Sequence, residues 1–581
     1  MNRSANWKIE TEAIDPVESI ITTLLIARGL PIENHHQFLT PNYESGTHDP
    51  FIFTKLSAAA ALVIDHLKSG ESIVIHGDYD ADGVCGSTLL HSALQEIATS
   101  CGWTPNIKVY LPDRELDGYG VAQHTIERLS EAGTKLLITV DCGIANYKEL
   151  DLAHELGLQV IVCDHHQLGT KLPAHALLIH PLVPGETYPN KFLCGTGVAF
   201  KLASAVLTLA RSEGCPLALG HERWWLDLVA IATVTDVMPL LGENRVLEQF
   251  GLKVILKTKR PGLRALLEQC KIETEITARD LGFRIGPRLN AAGRLESAQL
   301  AYNALIAPTS EQAVPAVQKL ELLNQTRQQI FTESYQVALT QPISTGIVAI
   351  VYDPSWKPGI IGLIAGRIAT DHGQPCFAFT KIGERLVGSG RSVGGLHLVE
   401  LMQSCDPALF VKHGGHPQAC GLTLVNEDAL EDFRAQSQAF ANKFFGGNLH
   451  ELPICIELTL PFTALSLTLA QDLNKLAPFG EGNREPIFAT INIGIVSKKI
   501  IGQTGKHLKF QARDQTGKVV EFLYFNADPL ALAWRVGDKL DLAYTIAINH
   551  WQNRQALECK LVDWRPSTLP GPSGVQTTTS S

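Results

Sequence analysis

Three carboxylates lie within five residues in the segment 76–83, whose sequence is HGDYDADG and which directly follows the apolar run SIVI. Carboxylates this close together repel one another unless a cation neutralises them. The spacing resembles the calcium-binding loop of an EF-hand, but Leu89 stands where that loop requires a bidentate glutamate. An EF-hand loop also follows a helix, whereas this segment follows a strand-like run. The segment therefore predicts a site for another divalent cation, with a solvated turn as the alternative.

Two further apolar runs end in side chains of the same kind. LLITV runs into Asp141, and QVIVC runs into the sequence Asp164-His165-His166. For Asp141 taken alone, the alternative is an N-cap of the following helix. Because parallel strands deliver their carboxyl ends to one edge of a sheet, we expect these side chains to converge on the segment 76–83.

A fourth acid, Asp236, follows the apolar helical stretch IATVT. A negative charge at the C-terminal end of a helix is unfavourable in the field of the helix dipole, so a positive group is expected beside it. A bound metal ion would supply that positive charge. Asp236 is therefore a candidate ligand at the same site.

The candidate ligands are mostly carboxylates with some imidazole: His76, Asp78, Asp80, Asp82, Asp141, His165 and Asp236. This donor set suits Mn²⁺ or Mg²⁺ better than zinc. Seven ligands exceed the protein's share of one ion, so the set predicts two ions that activate a water and stabilise an in-line attack at phosphorus. A single structural ion is the alternative.

Three later segments have the composition of phosphate-binding loops, namely GPRLNAAGRLESA (286–298), GSGRS (388–392) and HGGHPQACG (413–421). Arginine forks match phosphate oxygens, and glycines allow the backbone amides to approach a phosphate closely. For each segment alone, a plain turn is the alternative. The candidate phosphate-binding residues are Arg288, Asn290, Arg294, Ser389, Gly390, Arg391, Ser392, Gly415 and His416.

The elements that must position these residues follow an α/β pattern. From about 71 to 181, five short runs rich in Val, Ile and Leu alternate with helical stretches, which predicts a parallel sheet covered on both faces. A mostly helical part follows, and its polar end could be a long helix that bridges two lobes or an ordinary amphipathic helix. A smaller α/β unit and a small antiparallel β-barrel complete the expected fold.

The composition excludes several classes of protein. Hydrophobic residues make up 45% of the 581 residues and charged residues 19%, which is typical of a globular chain. With 49 basic and 59 acidic residues, the net charge of −10 argues against nucleic-acid binding by bulk charge. The stretches 253–296 and 484–518 are each locally basic, so a local path for nucleic acid stays open. Without an apolar leader or membrane span, we expect a cytoplasmic protein with twelve reduced cysteines.

The motifs HGDYDADG, TVDCGI, CDHH and ATVTDVMPL resemble motifs one to four of the DHH phosphoesterase superfamily. The glycine-rich HGGHPQACG is similar to its DHHA1 domain, and the remaining chain resembles the members that are single-strand-specific DNA exonucleases. The resemblance implies a 5′-to-3′ exonuclease that releases 5′-mononucleotides by two-metal catalysis in DNA repair and recombination. Two alternatives stay open: a phosphodiesterase acting on short oligonucleotides or cyclic dinucleotides, and an inactive DNA-binding replication scaffold.

The resemblance also implies roles for individual residues. His76, Asp80 and Asp141 would hold one ion, and Asp82, Asp141, His165 and Asp236 would hold the other, so that Asp141 bridges the two. Direct ligation by Asp78 stays open. Asp164 would orient an imidazole. His166 would act beside the scissile phosphate as a donor or proton carrier.

The resemblance implies the following domains: an N-terminal segment (1–50), a DHH catalytic domain (51–270), a helical connector (271–345), a DHHA1 domain (346–447), an OB-fold (448–565) and a disordered tail (566–581). OB-folds bind single strands through a basic groove and aromatic platforms. Lys506 and Lys509 are the candidate basic residues there. The aromatic residues beside them, Phe510, Phe522, Tyr524 and Phe525, are either stacking platforms or barrel core. Single-stranded DNA is the expected partner, with a single-strand-binding protein and a helicase as further candidates and no membrane.

Overall fold

The computed structural model describes residues 6–11, 19–114, 117–118, 120–343, 346–447, 449, 453–502, 505–551 and 554–567. They form two compact units. The first is drawn from 1–42, 451–479 and 483–581, and the second from 43–450 with 480–482.

The start of the chain belongs to the first unit. It contains a short strand and two helices, β1 (Trp7–Ile9), α1 (Ile20–Ala27) and α2 (His35–Leu39). Ser19 caps α1, since its side chain accepts a hydrogen bond from the backbone N–H of Thr22 at 3.1 Å. Leu24 and Leu25 of α1 are buried in the core of this unit.

The second unit begins with α3 (Tyr43–Gly46) and α4 (Leu56–Ser69) and continues into a five-stranded sheet. Its strands are β2 (Ser72–Gly77), β3 (Asn106–Tyr110), β4 (Leu136–Val140), β5 (Gln159–Cys163) and β6 (Leu177–Ile179). They lie in the order β3-β2-β4-β5-β6, and every pairing is parallel. The parallel sheet predicted from the five apolar runs is therefore confirmed.

Seven further helices complete the first lobe: α5 (Ala81–Ser100), α6 (Gln123–Glu131), α7 (Tyr147–Glu155), α8 (Gly195–Ser212), α9 (Leu226–Thr235), α10 (Gly242–Ile255) and α11 (Pro261–Gln269). Helices α5, α8 and α9 are apolar on most of their surface and are almost completely buried. A helix that is apolar all round must be packed on all sides, so these three form the rigid centre of the lobe.

The connector consists of α12 (Ala278–Asp280), α13 (Gly286–Leu295), α14 (Gln299–Ile306) and α15 (Ser310–Leu339). At 30 residues, α15 is about 45 Å long. It packs against α11, α13 and α14, and also against the first helix of the next lobe. The bridging helix is confirmed over the ordinary amphipathic one.

The second lobe contains β7 (Ala349–Tyr352), α16 (Pro358–His372), β8 (Cys376–Ile382), β9 (Arg385–Arg391), α17 (Leu398–Ser404), β10 (Phe410–Gly415), β11 (Ala419–Leu424) and α18 (Ala429–Phe445). The strand order is β10-β11-β9-β8-β7, with only β7 and β8 parallel. This is the smaller α/β unit expected from the sequence.

The rest of the first unit contains β12 (Ile454–Ile456), β13 (Leu458–Thr459), α19 (Leu467–Asn474), β14 (Phe488–Ile501), β15 (His507–Arg513), β16 (Val519–Tyr524), α20 (Pro529–Leu532), β17 (Lys539–Trp551) and β18 (Arg554–Pro566). Strands β14 to β18 close into a barrel because β14 also pairs with β17. Strand β16 pairs with β18 in parallel, because α20 and β17 intervene between them. That one pairing differs from the antiparallel expectation. Strand β1 pairs with β12.

Among the described residues, no single helix combines the length and apolar composition that crossing a membrane requires. One sharply bent pair, Tyr43–Ile52 and Leu56–Ser69, meets those criteria only when its halves are counted together. The predicted tail 566–581 lies outside the described residues except for its first two positions.

Candidate metal centre and active site

The carboxyl ends of three neighbouring strands bring the predicted ligands to one edge of the sheet. His76 lies in β2, Asp141 follows β4, and Asp164 and His165 follow β5. The loop after β2 leads into α5, where Asp80 is the N-cap. Its Oδ1 accepts hydrogen bonds from the next residues of the helix, at 3.0 and 3.2 Å. The convergence expected from the parallel sheet is therefore present.

Six acidic residues or histidines of the predicted set, together with His166, form three overlapping groups whose possible ligand atoms lie within 4.8 Å of one another. The groups are Asp78, Asp80 and Asp141; Asp82, His165 and Asp236; and Asp141, His165 and His166. Asp141 belongs to the first and the third group, and His165 to the second and the third. The cluster is therefore continuous, with Asp141 at its middle.

One imidazole nitrogen faces three carboxylates in this cluster. His165 Nε2 lies 3.1 Å from Asp141 Oδ1, 3.3 Å from Asp236 Oδ2 and 3.8 Å from Asp82 Oδ2. Burial, followed by repulsion from neighbouring carboxylates, raises the pKa of Asp82, Asp141 and Asp236. Burial also lowers the pKa of His165, so this imidazole is neutral and can act as a ligand. A bound cation would therefore relieve the repulsion among these buried carboxylates.

Several buried polar atoms of the cluster have no hydrogen-bond partner among the described residues, which is the pattern a metal ion would satisfy. They are His76 Nε2, Asp78 Oδ1 and Asp236 Oδ2. Burial raises the pKa of Asp78 to about 8, and it lowers the pKa of His76 to about 4, which leaves that imidazole neutral. Carboxylate oxygens with neutral imidazole nitrogens fit Mn²⁺ or Mg²⁺.

The backbone around Asp141 is shaped for close packing. Asp141 itself has a φ of +62°, in the left-handed region that non-glycine residues seldom adopt. A Cβ atom at Gly195 would lie 2.5 Å from the Cβ of Asp141, so only glycine fits there. The N–H groups of Gly195 and Thr196 each donate to the Asp82 carboxylate at 2.7 Å. The N-terminus of α8 therefore holds one ligand and makes room for another.

Asp164 contacts the imidazole of His166; its role in orienting an imidazole stays a prediction. Asp164 Oδ1 lies 2.7 Å from His166 Nδ1, and its Oδ2 accepts from the N–H of Ile144 at 2.9 Å. Burial lowers the pKa of His166, but Asp164, together with Asp236 and Asp78, raises that pKa to about 9. The ring lies 5.3 Å from that of His416 in the second lobe, and its side chain is 25% exposed. His166 is therefore a protonated side chain that reaches the surface of the cleft.

Four arginines gather beside the loop 76–83; we call Arg114, Arg294, Arg327 and Arg391 the arginine cluster. None of the four forms an ion pair with a carboxylate within the described part of the chain. Burial, and then repulsion from the other three, lowers the pKa of Arg294 to about 9. A group of cations with no anion among them is a site for an anionic ligand.

Three members of the arginine cluster are held in place by neighbouring groups. The Arg114 guanidinium lies over the Tyr79 ring at 4.3 Å, and its Nε is buried without a partner. Arg391 donates to Ser389 Oγ at 3.1 Å and to the Gly390 carbonyl at 2.7 Å. Arg294 donates to a backbone carbonyl of α16 at 3.0 Å, which joins the two lobes.

Two predicted phosphate-binding side chains are engaged elsewhere. Arg288 Nε pairs with Glu321 Oε2 of α15 at 2.6 Å. Asn290 Oδ1 accepts from the N–H of Ala81 at 2.8 Å and so holds the loop 76–83 in place. Both contacts fix α13 against its neighbours, and a direct phosphate contact by either residue stays a prediction.

The other residues predicted in the second lobe lie in the last residues of β9 and β10 or directly after them. Ser392 Oγ donates to the Leu396 carbonyl at 2.5 Å. Gly415 has a φ of +135°, and a Cβ there would lie 2.5 Å from the Ala419 carbonyl oxygen. His416 contacts His166 as described above, so of these residues it lies nearest the metal cluster.

Comparison with known proteins identifies the family of this chain. Three family models match: the DHH family N-terminal domain over 72–233, the DHHA1 domain over 344–443 and the RecJ OB domain over 456–563. The single-stranded-DNA-specific exonuclease RecJ of Bacillus subtilis is 31% identical over 96% of this chain and 70% of its own length. That of Dickeya dadantii is 32% identical over 94% and 96%. The chain belongs to the RecJ family.

The similarity to RecJ extends to solved structures. RecJ from Thermus thermophilus in complex with Mn²⁺ matches with a TM-score of 0.80 at 30% identity, covering 95% of this chain and 76% of that one. The same protein in complex with Mg²⁺ matches with a TM-score of 0.74 at 27% identity, covering 95% and 75%. The DHH, DHHA1 and OB domains of this RecJ-family chain are thus confirmed, and its acidic cluster is placed to bind these ions.

The RecJ OB domain resolves the question of its aromatic residues. Phe510, Phe522 and Tyr524 are buried in the barrel core, whereas Phe525 is 51% exposed beside His507. Lys506 is exposed, and Lys509 pairs with Glu521 at 2.7 Å. Core packing therefore accounts for three of the four rings, and a stacking role remains open only for Phe525.

Sequence reasoning missed Arg114, Arg327, Gly195 and Thr196. The two arginines stand outside any recognisable motif, and only the fold brings them to the site. The sequence GTG at 195–197 carried the one available signal, since it opens a helix directly after a strand-rich region and such helix starts bind carboxylates.

Proposed function

We propose that this chain is a metal-dependent exonuclease that degrades single-stranded DNA from the 5′ end and releases 5′-mononucleotides in DNA repair and recombination. The observation that carries the proposal is an acidic metal cluster beside an arginine cluster that lacks any carboxylate, in a chain of the RecJ family. One cluster suits the scissile phosphodiester, and the other suits a terminal phosphate.

The proposed ligand sets are those implied by the sequence, with one addition. His76, Asp80 and Asp141 would hold one ion, and Asp78 is added because it groups with Asp80 and Asp141; His76 Nε2 and Asp78 Oδ1 are buried without a partner. Asp82, His165 and Asp236 would hold the second ion, together with Asp141, whose Oδ1 lies 3.1 Å from His165 Nε2. Two such ions, when bound, activate water and neutralise the charge that develops at phosphorus.

His166 and Asp164 handle a proton next to that phosphate. Asp164 holds the ring of His166 through Nδ1, which leaves Nε2 as the nitrogen proposed to carry the proton toward the phosphate. A protonated imidazole donates a hydrogen bond to a phosphate oxygen and can pass its proton to the leaving group. His416 stacks on this ring from the second lobe and completes that wall of the cleft.

The arginine cluster is the proposed site of the 5′ phosphate. The charge of Asp80 partly offsets the lowering of the pKa of Arg294, so the two side chains are close. The guanidinium of Arg114 lies over the ring of Tyr79, which is between Asp78 and Asp80 in the sequence. A phosphate held here lies beside the metal cluster, so the next phosphodiester along the strand reaches the ions. Guanidinium forks and the Ser389 hydroxyl supply donors that match a phosphate monoester.

We predict that Arg391→Ala weakens the preference for 5′-phosphorylated over 5′-hydroxyl strands by about tenfold, because one charge-assisted phosphate contact is lost. The preference is measured as the ratio of kcat/KM for the two strands. Arg385→Ala at the exposed start of the same strand β9 is the matched control and should leave the ratio unchanged. An unaltered ratio in the Arg391 variant contradicts the assignment.

Removal of divalent cations should destabilise the protein, because buried carboxylates then repel one another. With Mn²⁺ at about a hundred times its dissociation constant at pH 8, we expect the thermal midpoint to rise by about 4 °C over that in EDTA. At the same Mn²⁺ concentration the rise should be smaller at pH 6, since burial raises the pKa of Asp78 to about 8 and the ion must displace that proton. Calorimetry at the two pH values tests this, and equal midpoints with and without Mn²⁺ count against a metal centre.

The direct test of the function is a time course on single strands labelled at the 5′ or the 3′ end, with duplex as control. Digestion from the 5′ end gives labelled mononucleotide at once from the 5′-labelled strand and a shrinking ladder from the 3′-labelled strand. The duplex should remain intact. Digestion of only di- or trinucleotides would instead favour a small-substrate phosphodiesterase.

We also propose the domain boundaries and the separate role of the OB domain that the sequence implies. The boundaries 51–270, 346–447 and 448–565 for the DHH, DHHA1 and OB domains are supported by the family-model matches, which fall inside them except for residues 344–345. The OB domain, through Lys506 and Lys509, would retain long strands. A cytoplasmic location, a single-strand-binding protein and a helicase complete the proposed setting.

A further inference from the structure

An exposed aromatic ring stands on a loop that leads into the metal centre. The Phe192 ring is 59% exposed, yet the backbone of this residue is held on both sides. Its N–H donates to Asn190 Oδ1 at 3.0 Å, and its carbonyl accepts from Asn244 Nδ2 at 2.6 Å. No aromatic or cationic side chain in the described ranges contacts the ring. The backbone of Phe192 is therefore held by hydrogen bonds while its apolar ring remains exposed to solvent.

The amide of Asn244 ties this loop to a second loop of the metal centre. The same Nδ2 donates to the Pro239 carbonyl at 3.2 Å, and Asn244 is buried. The two carbonyl oxygens therefore lie within about 6 Å of each other. Pro239 follows Asp236 by three residues, and Phe192 precedes Gly195 by three, a span of at most about 11 Å. Both loops thus adjoin the Asp82 and Asp236 side of the metal centre.

The loop after Asp236 presents a second exposed apolar side chain. Val237 is 62% exposed and has a φ of +57°, a backbone conformation that β-branched residues rarely adopt. Such outliers concentrate where the surrounding structure enforces them, often at functional sites. Val237 and Phe192 therefore stand as apolar groups on the two joined loops.

The arginine cluster and these two loops adjoin different ligands of the metal centre. Arg294 lies near Asp80 and Arg114 lies over Tyr79, whereas the loops of Phe192 and Val237 lead to Gly195, which holds Asp82, and to Asp236. A strand with its 5′ phosphate in the arginine cluster would pass its first phosphodiester over the ions. Its next nucleotides would then reach the loop of Phe192.

We propose that Phe192, supported by Val237, stacks on a base on the 3′ side of the scissile phosphate. This inference rests on the proposed function, because it takes the direction of the strand from the 5′-phosphate site. Every base has a π face, so an aromatic platform holds a single strand without regard to sequence. Phe192 is a positioning residue that keeps the strand over the metal centre between successive cuts.

The first experiment replaces the ring and keeps the rest of the loop. Phe192→Ala should raise the KM for a 5′-phosphorylated 20-nucleotide single strand about tenfold, with kcat within about twofold. Phe192→Trp should restore the wild-type KM. Phe444→Ala removes a ring that is 50% exposed in the second lobe and is the matched control. A KM within twofold of wild type in the Phe192→Ala protein overturns the proposal.

The second experiment separates stacking from a structural role. A single abasic residue is placed at each of the first six positions from the 5′ end, and binding is measured by fluorescence anisotropy. The wild-type protein should lose affinity at one or two positions near the second to fourth nucleotide, and Phe192→Ala should lose no further affinity there. Equal losses in both proteins at every position show that the ring contacts no base and overturn the proposal.

The two hypotheses fail in different ways. If wild-type protein digests 5′-labelled strands while Phe192→Ala behaves like wild type, the stacking platform alone is wrong. If wild-type protein digests neither labelled strand, the exonuclease assignment fails and the platform fails with it. If digestion proceeds from the 3′ end, the abasic pattern counted from the 5′ end disappears and the proposal is again overturned.

Discussion

Replacing Asp141 by asparagine should lower kcat for single-stranded DNA at least about a thousandfold. This carboxylate groups with Asp78 and Asp80 and also lies 3.1 Å from His165 Nε2, so it is the proposed bridge between the two ions. Asparagine keeps the size of the side chain and removes its charge. The cluster then has one fewer carboxylate among several that already repel one another, so the protein without metal should be at least as stable as wild type. Release of mononucleotide from a labelled strand and the thermal midpoint in EDTA measure the two effects.

Asp151→Asn is a suitable control for this variant. Asp151 lies on α7 in the same lobe, and its Oδ1 accepts a hydrogen bond from the N–H of Ala174 at 3.3 Å, away from the metal cluster. Its substitution should leave kcat within about twofold of wild type, as is usual for surface changes. Activity above a few per cent of wild type in the Asp141 variant is incompatible with a bridging role.

Gly195→Ala should strongly damage the active site, although it adds only one methyl group. The added Cβ would lie 2.5 Å from the Cβ of Asp141 and 2.8 Å from its Oδ1. Since the N–H of Gly195 also holds Asp82, any shift of α8 that relieves the clash moves that second ligand. We expect kcat to fall about a hundredfold and the protein to lose about 2 kcal/mol of stability from overpacking.

The control for the glycine variant is Gly282→Ala in the same unit. A Cβ there would meet only Val234 Cγ1, at an ordinary contact distance of 3.4 Å. The replacement should leave activity unchanged and stability unchanged or slightly higher, because alanine favours helix over glycine. If the two variants have the same Mn²⁺ affinity by calorimetry and the same kcat, close packing at Gly195 has no functional role.

The metal cluster could be predicted from sequence because each ligand carries a local signal. Asp141 and His165 follow apolar runs within two residues. Neighbouring parallel strands end at the same edge of the sheet, so such positions come together. Asp236 was recognisable from an unfavourable charge at a helix end, and the structure places it at the C-cap of α9. In both cases the ligand side chain lies within one or two residues of the end of a strand or helix.

The anion site could be predicted only in part, because its residues have no common local pattern. Arg114 and Arg327 come from a loop and from the middle of α15, and neither is next to a glycine-rich turn. Arg288 has the expected sequence context, yet Glu321, 33 positions later, takes its guanidinium. A partner at that separation is visible only after the helices have packed.

The barrel shows the same limit for aromatic residues. Phe510 and Phe522 stand directly opposite each other in β15 and β16, so both rings face the interior. Composition alone fits a surface platform equally well, because alternation along a strand identifies two faces without stating which is inside. Once one ring of the pair is known to be buried, the ring opposite it must face the interior as well.

The placement of α1 in the barrel's core has a consequence for how the protein is made. Leu24 and Leu25 leave the ribosome early, while Trp564, part of the same core, emerges 540 residues later. At typical bacterial speeds of translation, the nascent helix waits roughly half a minute to two minutes for its partner. Meanwhile the DHH and DHHA1 domains are complete and can fold, so the metal centre can form before α1 packs into the barrel.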